Sequence, residues 1–491
     1  MTRDVTILDD LRGHPAGKLA LVCHQDDTAV ELTYGDLLDR VDRTATLLHR
    51  LGVTKGQVVT LQLPNSWQLV ALILACYRIG AIPGPIVPIM RRREVQFMLN
   101  LTESPVYIAR EEFRGFSYRE MIASVDAPHL RHTLFIEELS LPETDLAGVT
   151  ESGPDDPAQV AFTSGTTGEP KGVVHSHNTL YAMNRAQADV LHLTADVVTA
   201  MGSPTTHQAG FTWNLIMPLL LGGTAIHVES WDAGRMLDIL QESRVTFFMG
   251  APTFLSDLIE TQAEDPRDLS ALETFATGSA PIAPYLVERS RDVLGCRLYA
   301  LWGMTENGCV TITRPEDPPM RAAESDGTAV PGMEVRIAAD GRLQVRGASQ
   351  CLGYFRRDHV YQACLTVDGW FDTGDLARDD GYGGIRIIGR VKDVIMRGAE
   401  NIPVVEVENA LLRHSSISDV AVVGYPDARL GERACAVMVA SKTLSLDDLR
   451  VHLAGLGMAK QYWPERLEIV GSLPRTPSGK IQKFALREGL R

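Results

Sequence analysis

The chain has no paired cysteine motif. Its seven cysteines (Cys23, Cys76, Cys296, Cys309, Cys351, Cys364, Cys435) are odd in number, scattered and never arranged C-x-x-C. That spacing argues against a disulfide framework and against a cysteine zinc site, and it fits a reducing cytoplasm. Basic charge is also short: 47 Lys and Arg face 62 Asp and Glu, for a formal net charge of -15. No basic stripe is available to follow a phosphate backbone, so a nucleic-acid partner is not expected. Long apolar runs are missing as well. The run from Leu69 to Cys76 stops at Tyr77-Arg78, far short of the ~20 residues that a membrane-spanning helix needs. The opening MTRDVTILDD has no charged-then-apolar leader pattern, and no repeat or low-complexity tract is visible. The expectation is a cytoplasmic globular protein without a transmembrane segment.

What is present is enough for a large core. With 491 residues, 45% of them hydrophobic, the chain should divide into at least two domains, because single cores stop growing near ~250–300 residues. Helical patterns at Tyr34 to Leu51 and Trp67 to Ile79 alternate with short β-branched runs at Val58 to Leu63, Val106 to Ala109 and Thr224 to Val228. That rhythm predicts an α/β fold with parallel strands and crossover helices. From about 326 to 388 the pattern shifts to short strands and glycine turns, which predicts a β-rich subdomain. After Gly389-Arg390-Val391-Lys392-Asp393 the helical pattern returns at Val404 to His414, with strands at Val420 to Val423 and Ala434 to Ala440. The reading is a large N-terminal domain, 1–391, of layered α/β subdomains plus the β-rich part, and a small α+β C-terminal domain, 392–491. The stretch Gly471 to Gly479 is expected to be an exposed loop.

The densest chemical signal is Thr163-Ser164-Gly165-Thr166-Thr167-Gly168-Glu169-Pro170-Lys171-Gly172. It follows a strand-like Val160-Ala161-Phe162, and Val173-Val174 resumes an extended pattern. Glycines permit close backbone approach, successive N–H groups can cradle an anion, and hydroxyls and one ammonium add donors. The Walker A pattern does not fit, since Pro170 precedes the lysine and Gly172 follows it. The segment is read as a phosphate-binding loop of another kind.

This stretch resembles the signature of the adenylate-forming superfamily, which includes acyl-CoA synthetases, nonribosomal peptide synthetase adenylation domains and beetle luciferases. Further motifs follow in that superfamily's order: Trp302-Gly303-Met304-Thr305-Glu306, Trp370-Phe371-Asp372-Thr373-Gly374-Asp375, Gly389-Arg390-Val391-Lys392-Asp393 and Pro474-Arg475-Thr476-Pro477-Ser478-Gly479-Lys480. The resemblance spans essentially the whole chain.

It implies two half-reactions, attack of a carboxylate on the α-phosphate of ATP and transfer of the acyl group to a thiol. Thr163, Ser164, Gly165, Thr166, Thr167, Gly168 and Lys171 would hold the β- and γ-phosphates, Glu306 would help hold Mg²⁺, and Thr305 would touch the α-phosphate. Asp375 would accept from the ribose hydroxyls and Arg390 would contact the ribose or phosphate region. Trp302, Gly303, Met304, Ile387, Gly278, Ser279 and Ala280 complete the expected nucleotide site, with Trp302 where tyrosine commonly stacks on adenine. Lys480 would stabilise charge between the acid and the α-phosphate, and Lys392 would be the hinge of a domain swing. Gly398 and Ala399 would lie along the thiol channel, where many members have two glycines.

The acid pocket implied by the resemblance draws on His207, Met249, Gly250, Gly278 and Gly303. Amino-acid-activating relatives commonly place an aspartate near His207, and His207-Gln208-Ala209-Gly210 offers none. An acid without an α-amino group is expected. The stretches SPTTHQAGFTWNLIMPLLLGGTAI and GMAKQYWPERLEIV are most similar to bacterial medium-chain and cyclohexanecarboxylate-type acid-CoA ligases. Expected partners are a small medium-chain, cyclic or aromatic carboxylic acid and CoA, or the phosphopantetheine thiol of a carrier protein, with the chain a monomer or homodimer. Two departures lie away from this chemistry: Gly341-Arg342-Leu343 lacks a common glutamate, and the segment Gly327 to Gly332 lacks a common arginine.

Overall fold

In the computed structural model, residues 3–25, 28–163, 170–391, 395–397, 400–427, 429–476 and 479–490 are described. The expected helix at Tyr34 forms over Tyr34–Arg50. Thr33 starts it, because its hydroxyl accepts the Asp36 N–H while the Asp36 carboxylate accepts the Thr33 N–H and hydroxyl. Leu37, Val41, Ala45 and Leu48 then fall on one buried face. The helix Trp67–Arg78 has no such polarity. Every residue from Leu69 to Tyr77 is buried, which explains its unbroken apolar run.

Among the described residues, nine strands form the main sheet, in the order Thr328–Ala329, Gly308–Ile312, Arg297–Met304, Thr274–Thr277, Phe247–Met249, Val198–Met201, Thr224–Val228, Leu19–Gln25, Thr28–Thr33. From Arg297–Met304 to Leu19–Gln25 every pairing is parallel, and antiparallel pairs close both edges. A second sheet, Ile82–Pro85, Val58–Gln62, Val106–Ala109, His132–Phe135, is parallel throughout. These are the parallel strands that the alternating sequence pattern predicts. A small antiparallel sheet holds the strands on either side of the glycine- and threonine-rich stretch, Pro157–Thr163 and Lys171–Ser176, with Lys171 opposite Thr163.

The β-rich subdomain is a four-stranded antiparallel sheet, Met333–Ile337, Arg342–Gly347, Phe371–Asp379, Ile385–Arg390. The smaller C-terminal domain has five strands, Glu400–Ile402, Ile395–Arg397, Gly431–Ala440, Ile417–Asp427 and Arg466–Ile469. Helices Val404–Leu411, Leu446–Gly455 and Lys483–Gly489 accompany them. The architecture is α/β, a large N-terminal domain and a smaller C-terminal one. The helix expected to reach His414 stops at Leu411.

One local irregularity sits beside the sheet's carboxyl edge. Residues Thr212–Ile216 form a π-helical turn between helices Gln208–Phe211 and Met217–Leu221. Pro218 has no N–H to give the Asn214 carbonyl. The buried His227 supplies the missing donor, with Nε2 2.8 Å from that oxygen, and burial lowers its pKa to about 4.

The expectation of an exposed loop at Gly471 to Gly479 is corrected at two positions. Leu473 is buried in the C-terminal core. Gly479 is also buried and lies against the large domain, where a Cβ at this residue would come within 2.9 Å of Ala251 Cβ and Thr253 Oγ1.

Candidate active site

Parallel strands deliver their carboxyl ends to one edge of a sheet, and open α/β sheets bind ligands outside that edge. Met201, Met249 and Thr277 end three neighbouring parallel strands, with Met201 opposite Met249 and Met249 opposite Ala276. The stretches that follow are those carrying His207, Gly250 and Gly278, and the neighbouring strand Arg297–Met304 ends in Gly303 and Met304. The expected acid-pocket residues therefore emerge at a common edge.

The glycines there answer to backbone crowding. A Cβ on Gly303 would lie 2.1 Å from the Gly308 carbonyl oxygen, and one on Gly278 would lie 2.5 Å from that of Leu301. At Gly250 the neighbours are the Phe248 ring and the Phe254 Cβ, both at 3.1 Å. Ser279 holds φ +69°, a left-handed conformation that costs a non-glycine residue energy and gathers at functional sites. Ala280, next to it, is half-buried.

His207 caps helix Gln208–Phe211, its Nδ1 accepting the Ala209 N–H at 3.3 Å. That bond places the ring proton on Nε2. Burial, reinforced by the Lys480 ammonium, lowers the His207 pKa to about 4. Gly479, seated against Ala251 and Thr253 just beyond strand Phe247–Met249, sets the loop that carries Lys480 beside the carboxyl edge of the large-domain sheet, and Lys480 itself is exposed.

At the expected nucleotide site, Asp375 lies on strand Phe371–Asp379 with its carboxylate 4% exposed. Its Oδ2 accepts Trp302 Nε1–H at 3.0 Å, and its Oδ1 accepts Arg390 Nε–H at 2.6 Å. An acidic turn residue in the sequence is thus a buried acceptor inside a sheet. Ile387, on the strand that carries Arg390, gives its N–H to Asp326 Oδ2 at 2.8 Å. Burial raises the Asp326 pKa, against the pull of Arg386.

The third cluster joins Lys171, Glu306 and a residue outside the sequence-based set, Tyr354. The Tyr354 hydroxyl donates to Glu306 Oε1 at 2.8 Å. Lys171 Nζ lies 3.4 Å from that hydroxyl and 4.6 Å from the ring centroid. Thr305, beside Glu306, gives its carbonyl to His175 Nε2–H at 2.8 Å, and burial lowers the His175 pKa to about 4.

Sequence reading also passed over several buried polar groups. The hydroxyls of Thr205, Thr206 and Thr277 and the amide of Asn307 have no protein hydrogen-bond partner, and their neighbours in sequence are the predicted site residues. Buried polar atoms rarely stay unpaired, so these are donors and acceptors available to a ligand or water. Only a count of partners in three dimensions could have found them.

Thr163 ends its strand half-buried opposite Lys171. The expected site residues Ser164, Gly165, Thr166, Thr167, Gly168, Lys392, Gly398 and Ala399 lie outside the described residues.

Comparison with known proteins agrees with this geometry. The family described as AMP-binding enzyme matches residues 9–355, and the AMP-binding enzyme C-terminal domain matches 406–480. A medium-chain fatty-acid–CoA ligase of Escherichia coli (strain K12) is 33% identical over 501 residues, covering 96% of this chain and 88% of its own. Among solved structures, ATP-bound MatB from Rhodopseudomonas palustris superposes with a TM-score of 0.89 at 26% identity, over 99% of both chains. The anthranilate CoA ligase AuaEII in complex with anthranoyl-AMP gives 0.90 at 25% identity, over 100% of this chain and 98% of that one. The chain belongs to the AMP-binding enzyme family. It is an ATP-dependent, AMP-forming acid–thiol ligase.

Proposed function

We propose that the protein activates a medium-chain, cyclic or aromatic carboxylic acid as its acyl-adenylate and delivers the acyl group to CoA, in the cytoplasm, as a monomer or homodimer. The observation that supports this reading is the seating of Gly479 on Ala251 and Thr253, which sets the loop that carries Lys480 beside the edge from which the His207 stretch emerges. An acid with its carboxylate at this edge meets an ammonium on one side and the nucleotide side of the large domain on the other.

In the first half-reaction a carboxylate oxygen attacks the α-phosphorus of ATP and pyrophosphate leaves. The transition state gains negative charge, and Lys480 is placed to stabilise it. His207 is neutral at working pH, and its Nε2–H donates to the acyl carbonyl. Met249, Gly250, Gly278 and Gly303 shape the pocket. Trp302, Gly303, Met304, Ser279 and Ala280 receive the adenine and Ile387 flanks the ribose. Asp375, held by Trp302 and Arg390, accepts from the ribose hydroxyls. Thr163, Lys171 and the residues between them hold the β- and γ-phosphates, and Thr305 touches the α-phosphate.

Glu306 suits Mg²⁺. Among the described residues no group of three His, Cys, Asp or Glu could cage a metal, and Mg²⁺ is commonly held by one or two carboxylates plus substrate phosphates. When bound, the ion would neutralise phosphate charge. In the second half-reaction the thiol attacks the acyl carbon and AMP leaves. A swing about Lys392, the proposed joint between domains 1–391 and 392–491, withdraws Lys480 and turns Gly398 and Ala399 toward the thiol.

The test is pyrophosphate release from ATP across a panel of linear, cyclic and aromatic acids, with and without CoA, beside Lys480→Ala. Release that needs one acid class and rises with CoA is the expected result. Acid-dependent release indifferent to CoA would move the acceptor to a carrier-protein thiol, and no release with any acid would overturn the reading.

A further inference from the structure

The cluster Lys171–Tyr354–Glu306 is assembled by backbone as well as by side chains. Strand Gly353–Tyr354 pairs antiparallel with Lys171–Ser176, Val173 opposite Tyr354 and Val174 opposite Gly353. Phe355 N–H donates to the Gly172 carbonyl at 2.7 Å, beside the lysine. Cys351 N–H donates to the Glu306 carbonyl at 2.8 Å. The segment 351–355 thus bridges the lysine strand and the turn that carries the glutamate. Tyr354 is 2% exposed, and its ring meets Tyr361 edge-on at 5.5 Å between centroids. Tyr361 is anchored in turn, donating to the Cys351 carbonyl at 3.1 Å and accepting from Gln350 at 2.9 Å.

A phenol so fixed does two things. Its hydroxyl engages one oxygen, Oε1, of the Glu306 carboxylate. Its ring face attracts the Lys171 ammonium, as an aromatic quadrupole does, while the hydroxyl oxygen accepts from Nζ. The groups assigned to the phosphates and to the metal are thus both held by one side chain.

We propose that Tyr354 is a positioning residue for the metal–triphosphate complex, fixing the Glu306 carboxylate for the divalent cation and parking Lys171 beside it. The proposal rests on the phosphate and metal roles given above to Lys171 and Glu306. Its consequence is selective: loss of the hydroxyl frees the carboxylate to rotate and weakens cation binding, while the site for the acid is untouched.

The test uses Tyr354→Phe, which keeps the ring, its packing and its face toward Lys171. Mn²⁺ binding in the presence of a non-hydrolysable ATP analogue is followed by electron paramagnetic resonance on the full chain. Mg²⁺ is also titrated in the acid-dependent pyrophosphate assay. Tyr354→Phe should raise the half-saturating Mn²⁺ and Mg²⁺ concentrations about tenfold, the acid KM staying within twofold. Glu306→Gln should weaken Mn²⁺ binding at least as much, and the double variant should be no worse than Glu306→Gln alone, because the hydroxyl acts through the carboxylate.

Unchanged metal binding in Tyr354→Phe, or additive losses in the double variant, would overturn the proposal and leave the role of Glu306 standing. A Glu306→Gln variant that binds Mn²⁺ as the wild type does would instead remove the metal role of Glu306, and the proposal with it. Thermal melts of each variant separate unfolding from weakened binding, and excess Mg²⁺ should restore turnover in Tyr354→Phe if the chain is folded.

Discussion

The proposed nucleotide site of the large domain and the lysine loop of the C-terminal domain are built in opposite ways. Asp375 is buried inside a sheet with both oxygens engaged, and Glu306 is tied to a buried tyrosine. Lys480 is exposed on a loop that reaches its place through the packing of Gly479. One side is preorganised and the other is delivered. Preorganised groups need not reorient during the reaction, whereas a group needed in only one half-reaction must be able to leave.

The sharpest way to break this contrast is Lys480→Ala. It should slow acid-dependent pyrophosphate release by ~10²–10³-fold, the scale of one lost preorganised donor. Thioester formation from supplied acyl-adenylate should change by less than about threefold. Equal loss in both half-reactions, measured separately, would mean that the lysine is a fixed part of the site.

Within the C-terminal domain itself the rigid element is Glu408. Its carboxylate, 3% exposed, pairs with Lys483 at 2.7 Å and accepts the Val422 N–H at 2.7 Å. Lys483→Met should cost this domain about 3 kcal/mol, as expected when one partner of a buried pair is removed. Urea melts followed by Trp463 fluorescence would read that loss.

On the prebuilt side, Asp375→Ala leaves the Trp302 N–H and the Arg390 guanidinium without this acceptor. It should raise the KM for ATP ~10–100-fold, equivalent to about 1–3 kcal/mol. The acid KM should change little, and steady-state kinetics in both substrates would separate the two.

A pH-dependent effect on stability follows from three buried histidines and the half-buried His207. His175, His177, His207 and His227 each have a pKa lowered to about 4 by burial, from an ordinary 6.5. Between those values the unfolded chain binds protons that the folded chain refuses. Their contribution is therefore complete above about pH 6.5 and is lost as pH falls toward 4, with a slope of up to about 1.4 kcal/mol per pH unit for each histidine. Denaturant midpoints at pH 7, 6 and 5 test the sign.

The smallest predicted change joins the two regions. The Lys480 ammonium holds the His207 pKa down, so Lys480→Ala should raise it. A ring-proton titration by NMR that shows no upward movement would place the lysine away from His207.

How much of this was legible in the sequence depends on the distance over which each feature is encoded. Strand Val106–Ala109 and strand Thr224–Val228 match their sequence runs end to end, because β-branched residues between polar boundaries encode a strand locally. Asp375, Glu306 and Lys480 were legible as candidates because each sits in a short motif. Tyr354 was not readable, since its link to Lys171 spans 183 positions and arises from strand pairing. Nor was the burial of Gly479: polar, glycine-bearing sequence reads as exposed loop, and the surface that covers it belongs to the start of helix Pro252–Glu264.

Strand Ile385–Arg390 gives the contrast a mechanical reading. A bulge at Ile388, where the pairing steps from Leu376–Gly389 to Ala377–Ile387, breaks the alternation of the strand, so Arg386 and Arg390 point to opposite faces. Arg390 holds the nucleotide-side Asp375, while Arg386 reaches Asn409 on helix Val404–Leu411 of the C-terminal domain at 3.1 Å. The strand is gripped at one end by the candidate site and at the other by the C-terminal domain. Thermodynamic linkage makes such a grip reciprocal: whatever nucleotide does to the seating of the C-terminal domain, that seating does in equal measure to the affinity for nucleotide.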